Sequence, residues 1–149
     1  MSGSKYGKYI VTELKTDFSE EFNAAYAKWA TRVLWIDSKV VEGAFQMNVA
    51  WYLRPQTETG EEPLQAHTHD CDEIIGFFGS DHEDPYDLGG EIELWLEDEQ
   101  HMITRSSLVF VPSGMQHGPL IIRRVDRPIF HFSTVTGGRY VLKDAKTNK

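Results

Sequence analysis

Cysteine is nearly absent from this 149-residue chain, and the single Cys71 has no partner for an intrachain disulfide. Nothing in the cysteine usage asks for an oxidising compartment, so a cytoplasmic location is expected. Long hydrophobic runs are missing too. No stretch approaches the roughly 20 apolar residues of a membrane span, and the polar, lysine-bearing start from Met1 to Tyr9 lacks the apolar segment of a secretory signal. Positive charge is missing from the middle of the chain. No Lys or Arg lies between Arg54 and Arg105, whereas acidic residues run from Glu58 to Glu99, and the net charge is -8. Such a surface repels a phosphate backbone, so nucleic acid is not an expected partner, and the acidic stretch reads as a solvated face.

The length suits one domain with one core, and a hydrophobic content of 40% is that of an ordinary globular protein. Residues 1–149 are read as a single domain: an N-terminal strand and helix extension over 1–42, a core over 43–136 and a frayed tail over 143–149. Asp17, Phe18, Ser19 and Glu20 supply cap residues, and Phe22, Tyr26, Trp29 and Val33 follow at helical spacing. One amphipathic helix is expected from about Ser19 to Thr31, its aromatic stripe packed on a sheet. The period then changes to two. Phe45, Met47, Val49, Trp51 and Leu53 alternate with Gln46, Asn48, Ala50, Tyr52 and Arg54 in a strand that stops at Pro55. Further short strands follow over 64–78, 91–96, 102–105, 107–111, 117–125 and 128–135, with a loop from Ser80 to Gly90. Many short strands with little helix indicate an all-β antiparallel sandwich or barrel.

Two segments carry the chemistry. His67-Thr68-His69 with Glu73 four residues later, and Pro112-Ser113-Gly114 followed by His117, supply three imidazoles and a carboxylate. That donor set suits a first-row transition metal. In a regular strand His67, His69 and Glu73 would share one face, and His117 would arrive from another strand.

The same residues resemble the two motifs of the cupin superfamily. His67-Thr68-His69-Asp70-Cys71-Asp72-Glu73 is similar to the first, and Pro112-Ser113-Gly114-Met115-Gln116-His117 to the second, within a resemblance covering roughly 43–136. Ser106 stands where a glycine usually opens the second motif, Gly79 closes the first a residue early, and Ile121 replaces a frequent Asn. None of these positions is a ligand. The resemblance implies a cupin-type antiparallel β-barrel (double-stranded β-helix, or jelly roll) with a short N-terminal helix. It implies a divalent metal on His67, His69, Glu73 and His117, with Fe(II) first and Mn(II), Ni(II), Co(II) or Zn(II) as alternatives. It also implies a small-molecule substrate and a reaction of the non-haem dioxygenase type, or a redox-neutral lyase, isomerase or cyclase reaction, or noncatalytic binding.

Other residues are candidates by position. His131 and Tyr52 are possible acid–base groups, and Gln46, Asn48 and Arg54 are possible pocket residues on the polar face of their strand. Cys71 shares the parity of the motif ligands and is otherwise a small buried hydrophobe. Small cupins are often dimers, and the Phe45–Leu53 apolar face with the N-terminal helix offers surface for a homodimer.

Overall fold

Period-two alternation sets the architecture. The computed structural model describes residues 4–60, 63–137 and 143–144. After helix α1 (Glu20–Ala27) the strands are β1 (Ala30–Ile36), β2 (Gln46–Tyr52), β3 (His67–Thr68), β4 (Glu73–Phe78) and β5 (Asp87–Leu96), then β6 (Glu99–Arg105), β7 (Ser107–Val111), β8 (His117–Val125), β9 (Ile129–Val135) and β10 (Lys143–Asp144). They form two five-stranded sheets, ordered β1-β2-β9-β4-β7 and β10-β3-β8-β5-β6. All these pairings are antiparallel. The protein is an all-β jelly-roll sandwich with one N-terminal helix.

The interior is graded along the strands. Phe77, Leu88, Ile92, Ile122 and Ile129 are fully buried at one end. Each such side chain contributes about 1.5–3 kcal/mol by leaving water. Toward the other end the inward positions become polar: Gln46 and Asn48 on β2, Glu73 on β4 and His117 on β8 are all buried, while the buried His131 on β9 stands directly across from Phe77. On β2 the polar face is therefore the inner one. Of its outer face, Trp51 packs on Phe130 with ring centroids 5.0 Å apart, while Phe45 and Leu53 stay exposed.

Three sequence expectations are corrected. The helix stops at Ala27 because the carbonyl of Trp29 accepts from the backbone N–H groups of Leu53 and Arg54 at 2.9 and 3.3 Å. Sheet pairing thus claims the segment that helical spacing suggested, and β1 begins at Ala30. The 80–90 loop is shorter than expected, since β5 starts at Asp87 and includes Gly89 and Gly90. It follows the end of β4 remote from Glu73. Lys143 and Asp144, expected to fray, pair with Thr68 and His67, and 145–149 lie outside the described residues. No helix among the described residues is long and apolar enough to cross a membrane.

Candidate metal centre

His67, His69 and Glu73 do not sit on one regular strand. The chain leaves the second sheet after Thr68, bends, and enters the first sheet at Glu73. Convergence comes from the facing of the two sheets. His67 pairs directly with His117 across β3 and β8, with ring centroids 4.3 Å apart. The turn before His117 locks onto the bend: the Gly114 N–H donates to the His69 carbonyl at 2.9 Å and the Ser113 N–H to Asp72 Oδ1 at 2.8 Å. Gly114 turns with φ +84°, which an L side chain resists. At Gly118, with φ +95°, a Cβ would stand 2.9 Å from the Gln65 carbonyl oxygen, so glycine lets β8 pass this closely.

The ligating atoms of His67, His69 and His117 lie within 4.8 Å of one another, and all three residues are buried. Glu73 Oε1 is 2.8 Å from His117 Nε2 and 3.4 Å from His69 Nε2. Donors at right angles around one ion, each about 2.1 Å from it, would be about 3.0 Å apart. The two Glu73 contacts bracket that spacing.

Protonation points the same way. His67 Nδ1 donates to the Gln65 carbonyl at 2.7 Å, and His117 Nδ1 donates to the Met115 carbonyl at 3.1 Å. A neutral ring so held carries its lone pair on Nε2. Burial pushes the His67 imidazole down, toward the neutral form. Burial raises the Glu73 carboxyl, and contact with His117 and His69 more than reverses this, bringing it to about 2. An ionised carboxylate and three imidazole rings thus face one point. His67 Nε2 is buried without a hydrogen-bond partner, and the buried Glu73 Oε1 is met only by imidazole nitrogens of His117 and His69, a costly arrangement that a divalent cation would relieve.

A cavity of about 600 Å³ opens from this cluster between the sheets and under α1. Gln46, Asn48, Tyr52 and His131 line it. His131 is stacked between Tyr52 and Phe77, at 4.8 and 5.2 Å between centroids, and its Nδ1 donates to the Gly76 carbonyl at 3.1 Å. Burial lowers its pKa to about 4, so it is a neutral ring. Arg54 is a correction: it lies beyond the end of β2, is exposed, and does not line the cavity. Cys71 is half-buried in the bend and stays out of both the cluster and the cavity lining.

Sequence reading missed the opposite wall. Phe22 and Tyr26 of α1, read as sheet packing, line the cavity together with Trp29, Arg32 and Trp35. The available signal was Arg32 itself, a lone cation among Trp29, Val33, Leu34 and Trp35.

No protein-family model and no curated protein matches the chain. Solved structures do match. The polyketide cyclase RemF from Streptomyces resistomycificus aligns over 82% of this chain and 75% of its own, at 17% identity and TM-score 0.50. Oxalate oxidase, solved in complex with the substrate analogue glycolate, aligns over 95% of this chain and 66% of its own, at 10% identity and TM-score 0.56. The chain has the cupin fold. Peruvianin-I, a cysteine peptidase from Thevetia peruviana latex, aligns over 91% of this chain and 76% of its own, at 9% identity and TM-score 0.54. At such identities the likeness concerns the fold alone, because one scaffold hosts many activities.

Proposed function

We propose that this protein is a metal-dependent cupin enzyme acting on a small organic molecule. His67, His69, His117 and Glu73 hold a divalent first-row ion, Fe(II) in first preference, and the cavity receives the substrate. The observation that carries the proposal is the buried convergence of three imidazoles with the Glu73 carboxylate beside them. When bound, such an ion supplies Lewis acidity and, as Fe(II), reactivity toward dioxygen.

The chain's own residues do the rest. The Glu73 carboxylate offsets part of the ion's charge, and the carbonyls of Gln65 and Met115 fix the tautomers of His67 and His117. The aromatic wall from α1 and β1 keeps water from the reacting end. Proton transfer has a weak agent here. His131 sits in the wall, yet at a pKa of about 4 it accepts a proton poorly at neutral pH. The first reading is an oxygen-dependent reaction of the non-haem dioxygenase type, in which no side chain need abstract a proton. The redox-neutral reading, a lyase, isomerase or cyclase reaction, has its support in the likeness to the cyclase RemF. There His131 or Tyr52 would move the proton.

Anaerobic Fe(II)-loaded protein is mixed with small chelating molecules, and oxygen uptake is followed against product after air is admitted. The expected result is a spectral change on binding and uptake that tracks product. Undiminished anaerobic turnover with Zn(II) overturns the oxygen-dependent reading in favour of the redox-neutral one, and binding without turnover with any metal overturns the enzyme. We also propose a homodimer, supported by exposed apolar side chains on the outer face of the first sheet.

A further inference from the structure

Arg32 is a half-buried cation on the cavity wall, and its surroundings hold it as a recognition element. The guanidinium carbon lies 4.4 Å from the ring centre of Tyr26, 4.6 Å from Phe18, 4.9 Å from Phe22 and 5.5 Å from Trp35. Aromatic faces attract the cation without using its N–H groups. One of those groups donates to Asn48 Oδ1 at 2.8 Å. Among the described residues no carboxylate pairs with Arg32. A guanidinium has five N–H donors in a rigid plane, a geometry suited to a carboxylate.

Gln46 provides the second observation. It is 0% exposed and lines the cavity, and neither Nε2 nor Oε1 has a hydrogen-bond partner. Leaving a buried amide unsatisfied costs about 1–3 kcal/mol, which a polar ligand would recover. The register places it between the two charged ends. Gln46 pairs with Val135, and Val135 with Glu73, so Gln46 and Glu73 stand in one cross-strand row. Two strand spacings separate them by about 10 Å. Asn48, the next inward residue on β2, carries the bond to Arg32.

We propose that Arg32, oriented by Asn48 and the ring cage, anchors an anionic group, and that the substrate is a small organic carboxylate with an apolar, planar body. Its carboxylate meets Arg32, its body lies along the aromatic wall, and its far end passes Gln46 toward the His67–His69–His117–Glu73 cluster. This rests on the reading of the cavity as the substrate site and adds the class of molecule.

The test uses full-length protein, metal-free after chelator treatment and separately Zn(II)-loaded, with calorimetry and tryptophan fluorescence reporting binding at Trp29 and Trp35. Probes are benzoate, phenylacetate and cinnamate, each beside its neutral amide. The expected result is that a carboxylate binds roughly tenfold or more tightly than its amide in both metal states. Arg32→Met is expected to erase that preference while keeping the same metal content as the parent, and Arg32→Lys to restore part of it. The parent comparison needs no variant, so a poorly folded substitution leaves the test intact. Equal binding of acid and amide, or no binding of any probe at millimolar concentration, overturns the proposal. A preference seen only with metal and surviving Arg32→Met also overturns it, since the carboxylate then sits on the metal and the metal reading stands. An Arg32-dependent preference in protein that takes up no Zn(II) when it is offered supports the anion site and removes the metal reading.

Discussion

His131 links burial to pH at the scale of a single residue. Its pKa is lowered to about 4, chiefly by burial; the hydrogen bond to the Gly76 carbonyl and the Glu73 charge pull the other way, and Arg32 adds to the lowering. An unfolded histidine titrates near 6.5. Between those values the unfolded chain binds more protons than the folded one, so stability falls as pH drops from about 6.5 to 4. The contribution at neutral pH is about 3 kcal/mol, present in full above about 6.5 and lost by about 4. His131→Phe keeps a ring between Tyr52 and Phe77, and its urea midpoint is expected to fall less steeply over this window than that of the parent. Parallel curves would remove His131 as the cause. The residues of the three-histidine cluster were legible in the sequence because their spacing is local, within His67–Glu73 and Pro112–His117. Arg32 was not, because its role depends on a helix, a strand and the Asn48 side chain meeting in space.

At the scale of elements, α1 is short and half-exposed, yet it walls the cavity. Eight residues are too few to hold a helix alone, so capping and its contact with β1 decide whether it stays formed. The Ser19 hydroxyl accepts from the Phe22 N–H at 3.1 Å. Ser19→Ala is expected to cost the helix about 0.5–2 kcal/mol. Hydrogen exchange would show this as faster exchange in 20–27, with β4 and β9 amides unchanged. Equal acceleration throughout would mean that α1 and the sandwich unfold as one unit. The helix start was readable from Ser19 and Glu20, and the regular strands from their alternation. β1 was hidden for two reasons: Trp29 and Val33 continue the helical spacing, and the register shift between Arg32 and Leu34 breaks the period of two.

For the whole molecule, the exposed face of the first sheet bears on assembly. Leu108 and Phe110 on edge strand β7 are 65% and 58% exposed, and Ile74 beside them is 41% exposed. This patch adds to Phe45 and Leu53, while Met47, Val49 and Trp51, also expected at a dimer surface, are partly covered. Light scattering at micromolar concentration is expected to show a dimer that Phe110→Glu converts to a monomer; a monomeric parent would count against the homodimer. The all-β class was legible from the run of short strands. The route by which the chain brings the motif residues together was not, since His67 and Glu73 belong to different sheets and only the closed sandwich joins them. That joining brings the four side chains of the proposed metal centre together, and elemental analysis of protein purified without chelators tests the proposal most directly. About one first-row metal ion per chain is expected in the parent, with most of it lost in His69→Ala and His117→Ala whose circular dichroism is unchanged. Full metal occupancy in both folded variants would contradict the assignment.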